Sequence, residues 1–218
     1  MREVAPSILA ADKNNILKEI ELADSSLATF LHIDIMDGIF VENKTWDSSF
    51  VLEIHDKHHM INDVHIMVEK PWIKGKEFAS AGADIVTFHL EACPDEEKVL
   101  ETIKAIKENG SRVGISIKPN TPVDSLKPYL DMVDLILIMS VEPGKGGQKF
   151  IPSSIEKIKR IKELRGDKSF LIEVDGGINE ETYSPCYDAG ADILVAGSYL
   201  FGHEDMLDRI AKMKGEEL

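Results

Sequence analysis

Two histidines and two aspartates in this 218-residue chain stand where apolar, strand-like runs come to an end. His32 and Asp34 lie two apart in Leu31-His32-Ile33-Asp34-Ile35-Met36, so in an extended strand both side chains project to one face. His65 takes the same sense in Asp63-Val64-His65-Ile66-Met67, and Asp175 closes a third run just before Gly176-Gly177. Two imidazoles and two carboxylates brought together form an N2O2 donor set suited to one divalent transition metal per subunit, whether zinc, iron, manganese or cobalt. Taken singly, an inward His or Asp near a strand end is more often a hydrogen-bonded structural residue. The pattern by itself leaves both readings open.

A second group of residues suits a phosphate. Asp175-Gly176-Gly177-Ile178, Ala196-Gly197-Ser198 and Pro143-Gly144-Lys145-Gly146-Gly147-Gln148 are glycine-rich stretches that each follow a strand-like run. Glycine lets backbone N–H groups come close to phosphate oxygens, and a short helix start behind such a loop adds its dipole. Any one of these loops reads equally well as a tight turn; three together do not. Met36, Met67 and Met139 fall near the ends of three runs. Core packing is the default for such methionines, and the functional alternative is a polarizable lining that keeps water from a reactive carbanion-like intermediate.

These residues need elements that bring them to one place. Eight β-rich runs recur along the chain: Val4–Leu9, Leu31–Met36, Asp63–Val68, Ile85–Leu90, Arg112–Ile117, Leu135–Val141, Phe170–Asp175 and Ile193–Gly197. Helical spacing of apolar residues falls between them, clearest in Asn15–Ala23, Glu96–Glu108, Ser154–Leu164 and Glu204–Met213. Asp95 and Asn179 read as helix N-caps, and Asn109-Gly110 as a helix stop. Strict alternation implies parallel strands covered on both faces, and eight units favour a closed (β/α)8 TIM barrel over an open doubly wound sheet. Ser7-Ile8-Leu9-Ala10-Ala11-Asp12, after the first run, has no glycine, which counts against a dinucleotide-binding sheet. Residues 1–218 are expected to form one such α/β domain. In a barrel the strand C-termini share one rim, where catalytic groups gather.

Composition narrows the partners. With 25 Lys and Arg against 39 Asp and Glu, the formal charge is −14, which disfavours nucleic acid and anionic lipid. A small phosphorylated metabolite remains compatible, because backbone amides and a metal create local positive potential. The two cysteines, Cys93 and Cys186, match no metal or redox spacing, and no segment has the apolar run a membrane span requires. A soluble, cytoplasmic protein is expected, with a closed homo-oligomer as the general expectation for such a chain.

Ala5-Pro6-Ser7-Ile8-Leu9, His32-x-Asp34-x-Met36-Asp37-Gly38, Asp63-x-His65-x-Met67-Val68, Val141-Glu142-Pro143-Gly144-x-Gly146-Gly147-Gln148 and Val174-Asp175-Gly176-Gly177-Ile178 together resemble the ribulose-phosphate 3-epimerase family, in order and from about Val4 to Phe201. The resemblance implies C3 epimerisation between D-ribulose 5-phosphate and D-xylulose 5-phosphate in the pentose phosphate pathway, through an enediolate. It implies that His32, Asp34, His65 and Asp175 bind the metal and that Asp34 and Asp175 are the paired acid and base. Substrate contacts are implied for Ser7, His65 and Asp175, and phosphate contacts for Gly144, Lys145, Gly146, Gly147, Gly176, Gly177, Gly197 and Ser198. The chain departs from the family at Ile39, where histidine is usual, at Glu42, where proline is usual, in Trp46-Asp47-Ser48-Ser49, and at Lys145, where an aromatic is common. The same chemistry on allulose 6-phosphate is the nearest alternative, and a non-catalytic phosphosugar-binding barrel a more distant one. An orotidine-phosphate-type decarboxylase would need a lysine on strand 2, which offers none.

Overall fold

In the computed structural model, which describes residues 2–216, the eight runs become eight parallel strands. They are β1 (Glu3–Pro6), β2 (Phe30–Met36), β3 (Ile61–Met67), β4 (Ile85–His89), β5 (Arg112–Ile117), β6 (Leu135–Met139), β7 (Leu171–Asp175) and β8 (Ile193–Ala196). They pair in the order β1-β8-β7-β6-β5-β4-β3-β2, and a bridge between Ser7 and His32 brings β1 back to β2. The result is a (β/α)8 TIM barrel in a single domain.

The helices are α1 (Ile16–Asp24), α2 (Ser48–Ile54), α3 (Pro71–Ser80), α4 (Glu96–Glu108), α5 (Ser154–Arg165), α6 (Tyr183–Ala189) and α7 (Met206–Lys214). A 3-10 segment, Val123–Tyr129, stands where the helix after β5 would be. Pro128 lies inside it, and a proline there has no N–H for an α-helical bond. α4 shows why its sequence folds as it does. Asp95 accepts the Lys98 N–H at 2.9 Å, Val99, Thr102, Ile103 and Ile106 form the buried stripe, and Asn109 then Gly110 at φ +93° end it.

Strands buried on both faces need apolar residues on both, and β6, Leu-Ile-Leu-Ile-Met, is buried throughout. Leu135 and Leu137 join Ala5, Phe30, Ile85 and Ile193 inside the barrel. Ile136 and Ile138 join Leu31, Ile33, Val64 and Ile66 in the larger core that includes the helices. The interior thus has an apolar bottom, and the polar side chains sit above it toward the strand C-termini. No helix among the described residues is long and apolar enough to cross a membrane.

Three local expectations are corrected. The first strand stops at Pro6, because Ile8–Ala10 winds into a 3-10 turn held by Ala10 N–H to Ser7 O and Ala11 N–H to Ile8 O. Asn179 caps no helix: its side chain accepts the Glu181 N–H in a turn, and α6 starts at Tyr183, with Pro185 in the first turn, where the missing N–H has no cost. Behind Gly197 there is a hydrogen-bonded turn instead of a helix start. Leu200 and Phe201 N–H both reach Gly197 O, and Gly202 at φ +82° cannot continue a right-handed helix.

Candidate active site

The β2–β3 register sets His32 beside Asp63 and Asp34 beside His65. Asp175 ends β7, which is no neighbour of β2 in the sheet, so the cluster closes across the barrel mouth. His32 Nε2 lies 3.4 Å from Asp34 Oδ1 and 4.0 Å from Asp175 Oδ2. His65 Nδ1 lies 3.2 Å and 3.9 Å from the same two atoms. One donor atom from each of the four residues falls within 4.8 Å of the others.

The donor set fits a cation. His32 Nε2 is buried with no hydrogen-bond partner, and such an atom is costly unless something engages it. Burial disfavours charge on His32, yet Asp34 and Asp63 outweigh it and push the ring well above its ordinary range. The surroundings therefore favour positive charge at this point, in the form of a proton or of a metal ion shared by two nitrogens and two oxygens.

The two carboxyls are driven apart. Burial pushes Asp34 up, but the His32 and His65 rings outweigh it and hold the group below the usual carboxylate range. Burial, reinforced by the neighbouring Asp34 charge, pushes Asp175 up to about 6. Asp34 is nearly enclosed and accepts the Ser7 hydroxyl at 2.8 Å, while the Asp175 side chain keeps 17% exposure. A pair with separated acidities, reached from two sides of one mouth, can hold a proton on one member and take one with the other.

Above this floor is a cavity. Ser7, Asp34, Asp175, Met36, Met67 and Met139 line it, together with Gly144, Lys145, Gly146, Gly147, Gly176, Gly177, Gly197 and Ser198. Every residue expected at the substrate site except His65 faces it. His65, like His32, is wholly buried and is absent from the cavity lining. Gly177 shows why this rim needs glycine: at φ +65°, an added Cβ would come 2.4 Å from Phe150 N. The strand-2 and strand-6 loops meet at the mouth, where Asn43 Nδ2 donates to Gly144 O at 2.7 Å.

Sequence reasoning assigned no role to Asp63, His89, Glu91 or Glu173. Asp63 Oδ2 lies 2.5 Å from His32 Nδ1, and Glu173, wholly buried, is 3.8 Å from the same nitrogen. Burial and the adjacent Asp63 push Glu173 well above its ordinary range. His89, under Phe40, meets both His65 and Glu91, and burial pushes it down to about 4. The signal was present: Thr87-Phe88-His89-Leu90-Glu91 has the same alternation as His32-Ile33-Asp34.

Residues 3–201 match the ribulose-phosphate 3 epimerase family. The chain is 43% identical over 220 residues to the ribulose-phosphate 3-epimerase of Bacillus subtilis (strain 168), covering all of both chains. It is 40% identical to that of Chlamydia trachomatis serovar D, covering 98% of this chain and 93% of the relative. Among solved structures, 3-hexulose-6-phosphate synthase from Salmonella typhimurium superposes with a TM-score of 0.67 at 18% identity, over 99% of this chain and 97% of the other. At that identity the likeness is one of fold alone.

Proposed function

Because the chain belongs to the ribulose-phosphate 3-epimerase family and is an epimerase, we propose that it interconverts D-ribulose 5-phosphate and D-xylulose 5-phosphate by inverting C3, as a metal-dependent step of the pentose phosphate pathway. The observation that carries this reading is the pair of carboxyls, Asp34 and Asp175, converging on one cation-sized space with their acidities displaced in opposite directions.

Inversion at C3 requires removing the proton next to the C2 carbonyl and returning one to the opposite face. Asp34 and Asp175 come from non-adjacent strands, and each serves one face: the ionised member takes the C3 proton, and the protonated member delivers one to the enediolate from the other side. Their roles exchange with the direction of reaction. His32, Asp34, His65 and Asp175 would hold a divalent ion (zinc, iron, manganese or cobalt), which when bound supplies Lewis-acid stabilisation of the negative charge that develops beside C3. Ser7 holds Asp34 through its 2.8 Å hydrogen bond and faces the substrate. Met36, Met67 and Met139 exclude water that would protonate the intermediate on either face. The glycine loops at 144–147, 176–177 and 197–198 take the phosphate.

The test is turnover of ribulose 5-phosphate in D2O. Xylulose 5-phosphate should appear carrying deuterium at C3, faster than allulose 6-phosphate is epimerised under the same conditions. Product without C3 deuterium, or a preference for the hexulose phosphate, would contradict the proposal.

A further inference from the structure

Glu91 plays no part in the chemistry above, yet its carboxylate ends a hydrogen-bonded line that starts on a candidate metal ligand. His65 Nε2 lies 2.9 Å from His89 Nε2, and His89 Nδ1 lies 3.2 Å from Glu91 Oε2. Both rings are wholly buried. The other Glu91 oxygen accepts the Lys118 N–H at 2.7 Å and the Thr121 hydroxyl, so the loop after β5 fixes the carboxylate in place.

The hydrogens along this line can be assigned. A carboxylate only accepts, so the hydrogen between His89 and Glu91 belongs to His89 Nδ1. A neutral imidazole carries one N–H, which leaves His89 Nε2 bare. The hydrogen between the two rings then belongs to His65 Nε2. His65 Nδ1 is hydrogen-bonded to Asp34 Oδ1 at 3.2 Å and lies 3.9 Å from Asp175 Oδ2; because the hydrogen shared with His89 stays on Nε2, a cation held between these two carboxylates meets Nδ1 as a lone pair. An amide at position 91 would admit the reverse wiring. The amide could donate to His89 Nδ1, His89 Nε2–H to His65, and His65 Nδ1–H to Asp34, which blocks the ligating atom.

We propose that Glu91, acting through His89, is a positioning residue that sets the tautomer of His65 and so prepares Nδ1 as a metal ligand. The inference rests on the reading that His32, Asp34, His65 and Asp175 hold a divalent ion. A role in packing alone would leave the tautomer indifferent to the exchange of a carboxylate for an amide of the same shape.

Two measurements on the full chain test it. The first is the Co(II) dissociation constant by competition with a chelator, for which Glu91→Gln should bind roughly 10- to 100-fold more weakly than wild type. The second is ring-nitrogen NMR of the metal-free chain, which needs no cation. It should show hydrogen on His65 Nε2 and on His89 Nδ1, and Glu91→Gln should move the His65 hydrogen toward Nδ1. A bare His65 Nε2 in wild type, or Co(II) affinity unchanged in Glu91→Gln, overturns the proposal. Failure of wild type to bind Co(II) overturns the metal reading instead, and the ring spectrum still decides the wiring.

Discussion

His32, Asp34 and His65 sit on strands whose backbone ladders fix each residue against its neighbour, His32 beside Asp63 and Asp34 beside His65. Val41, Asn43 and Lys145 sit on loops that meet through the Asn43–Gly144 hydrogen bond and through Val41, which an added Cβ on Gly144 would approach to 3.0 Å. In the floor, His32, Asp34 and His65 are almost wholly enclosed; on the rim, Lys145, Gly146 and Gly147 are exposed. The floor is a low-dielectric arrangement in which displaced acidities and an unpartnered ring nitrogen persist. The rim is a surface that can change without disturbing that arrangement. On the proposed function, reaction type belongs to the floor and substrate affinity to the rim. The departures at Ile39, Glu42 and Lys145 all lie in the second region.

The largest effect should come from breaking the floor. Asp34→Asn is expected to lower turnover by roughly 10²- to 10⁴-fold, the range for losing a positioned acid or base, with metal content measured in the same sample because Asn is also a weaker ligand. Turnover near wild type would show that the floor does not carry the chemistry.

Gly177→Val comes next, since it attacks a part of the rim packed closely against backbone. The added Cβ meets the Phe150 backbone, and the φ of +65° is strained for any L side chain, so a loss of about 1–3 kcal/mol in stability and a raised KM are expected. Thermal unfolding and steady-state kinetics on one preparation separate the two. An unchanged KM would move the phosphate elsewhere.

Asn43→Ala removes the loop-to-loop hydrogen bond. Loss of a neutral bond of this kind is worth about 1 kcal/mol, so KM should rise roughly fivefold or less with kcat nearly constant. A fall in kcat with KM unchanged would mean that the rim shapes the reacting geometry and would blur the distinction between the regions. Ile39→Ala should do least. Ile39 is 69% exposed, and its replacement should change stability by no more than about 0.5 kcal/mol and leave kinetics alone.

The same division governs what could be read from the chain. His32, Asp34, His65 and Asp175 were legible because strand alternation and barrel topology turn spacing into position: i and i+2 share a face, and strand C-termini share a rim. The glycine loops were legible by composition, and the cavity gathers all three. The turn at Ile8–Ala10 was not, since its apolar residues read equally well as more strand. The meeting of Asn43 with Gly144 joins residues 101 apart in sequence and has no local signature. His89 and Glu91 lay between these cases. The alternation in β4 was visible, but the link from His89 to His65 appears only once β3 and β4 lie side by side.

The central claim, that the four donors of the floor hold one divalent ion on which C3 inversion depends, is tested most directly by measuring metal content and ribulose 5-phosphate turnover on the same purified sample through chelation and re-addition. Expected are one ion per chain, turnover that falls in proportion to the ion removed, and recovery when the divalent metal is restored. Undiminished turnover in a sample shown by elemental analysis to be metal-free would contradict it.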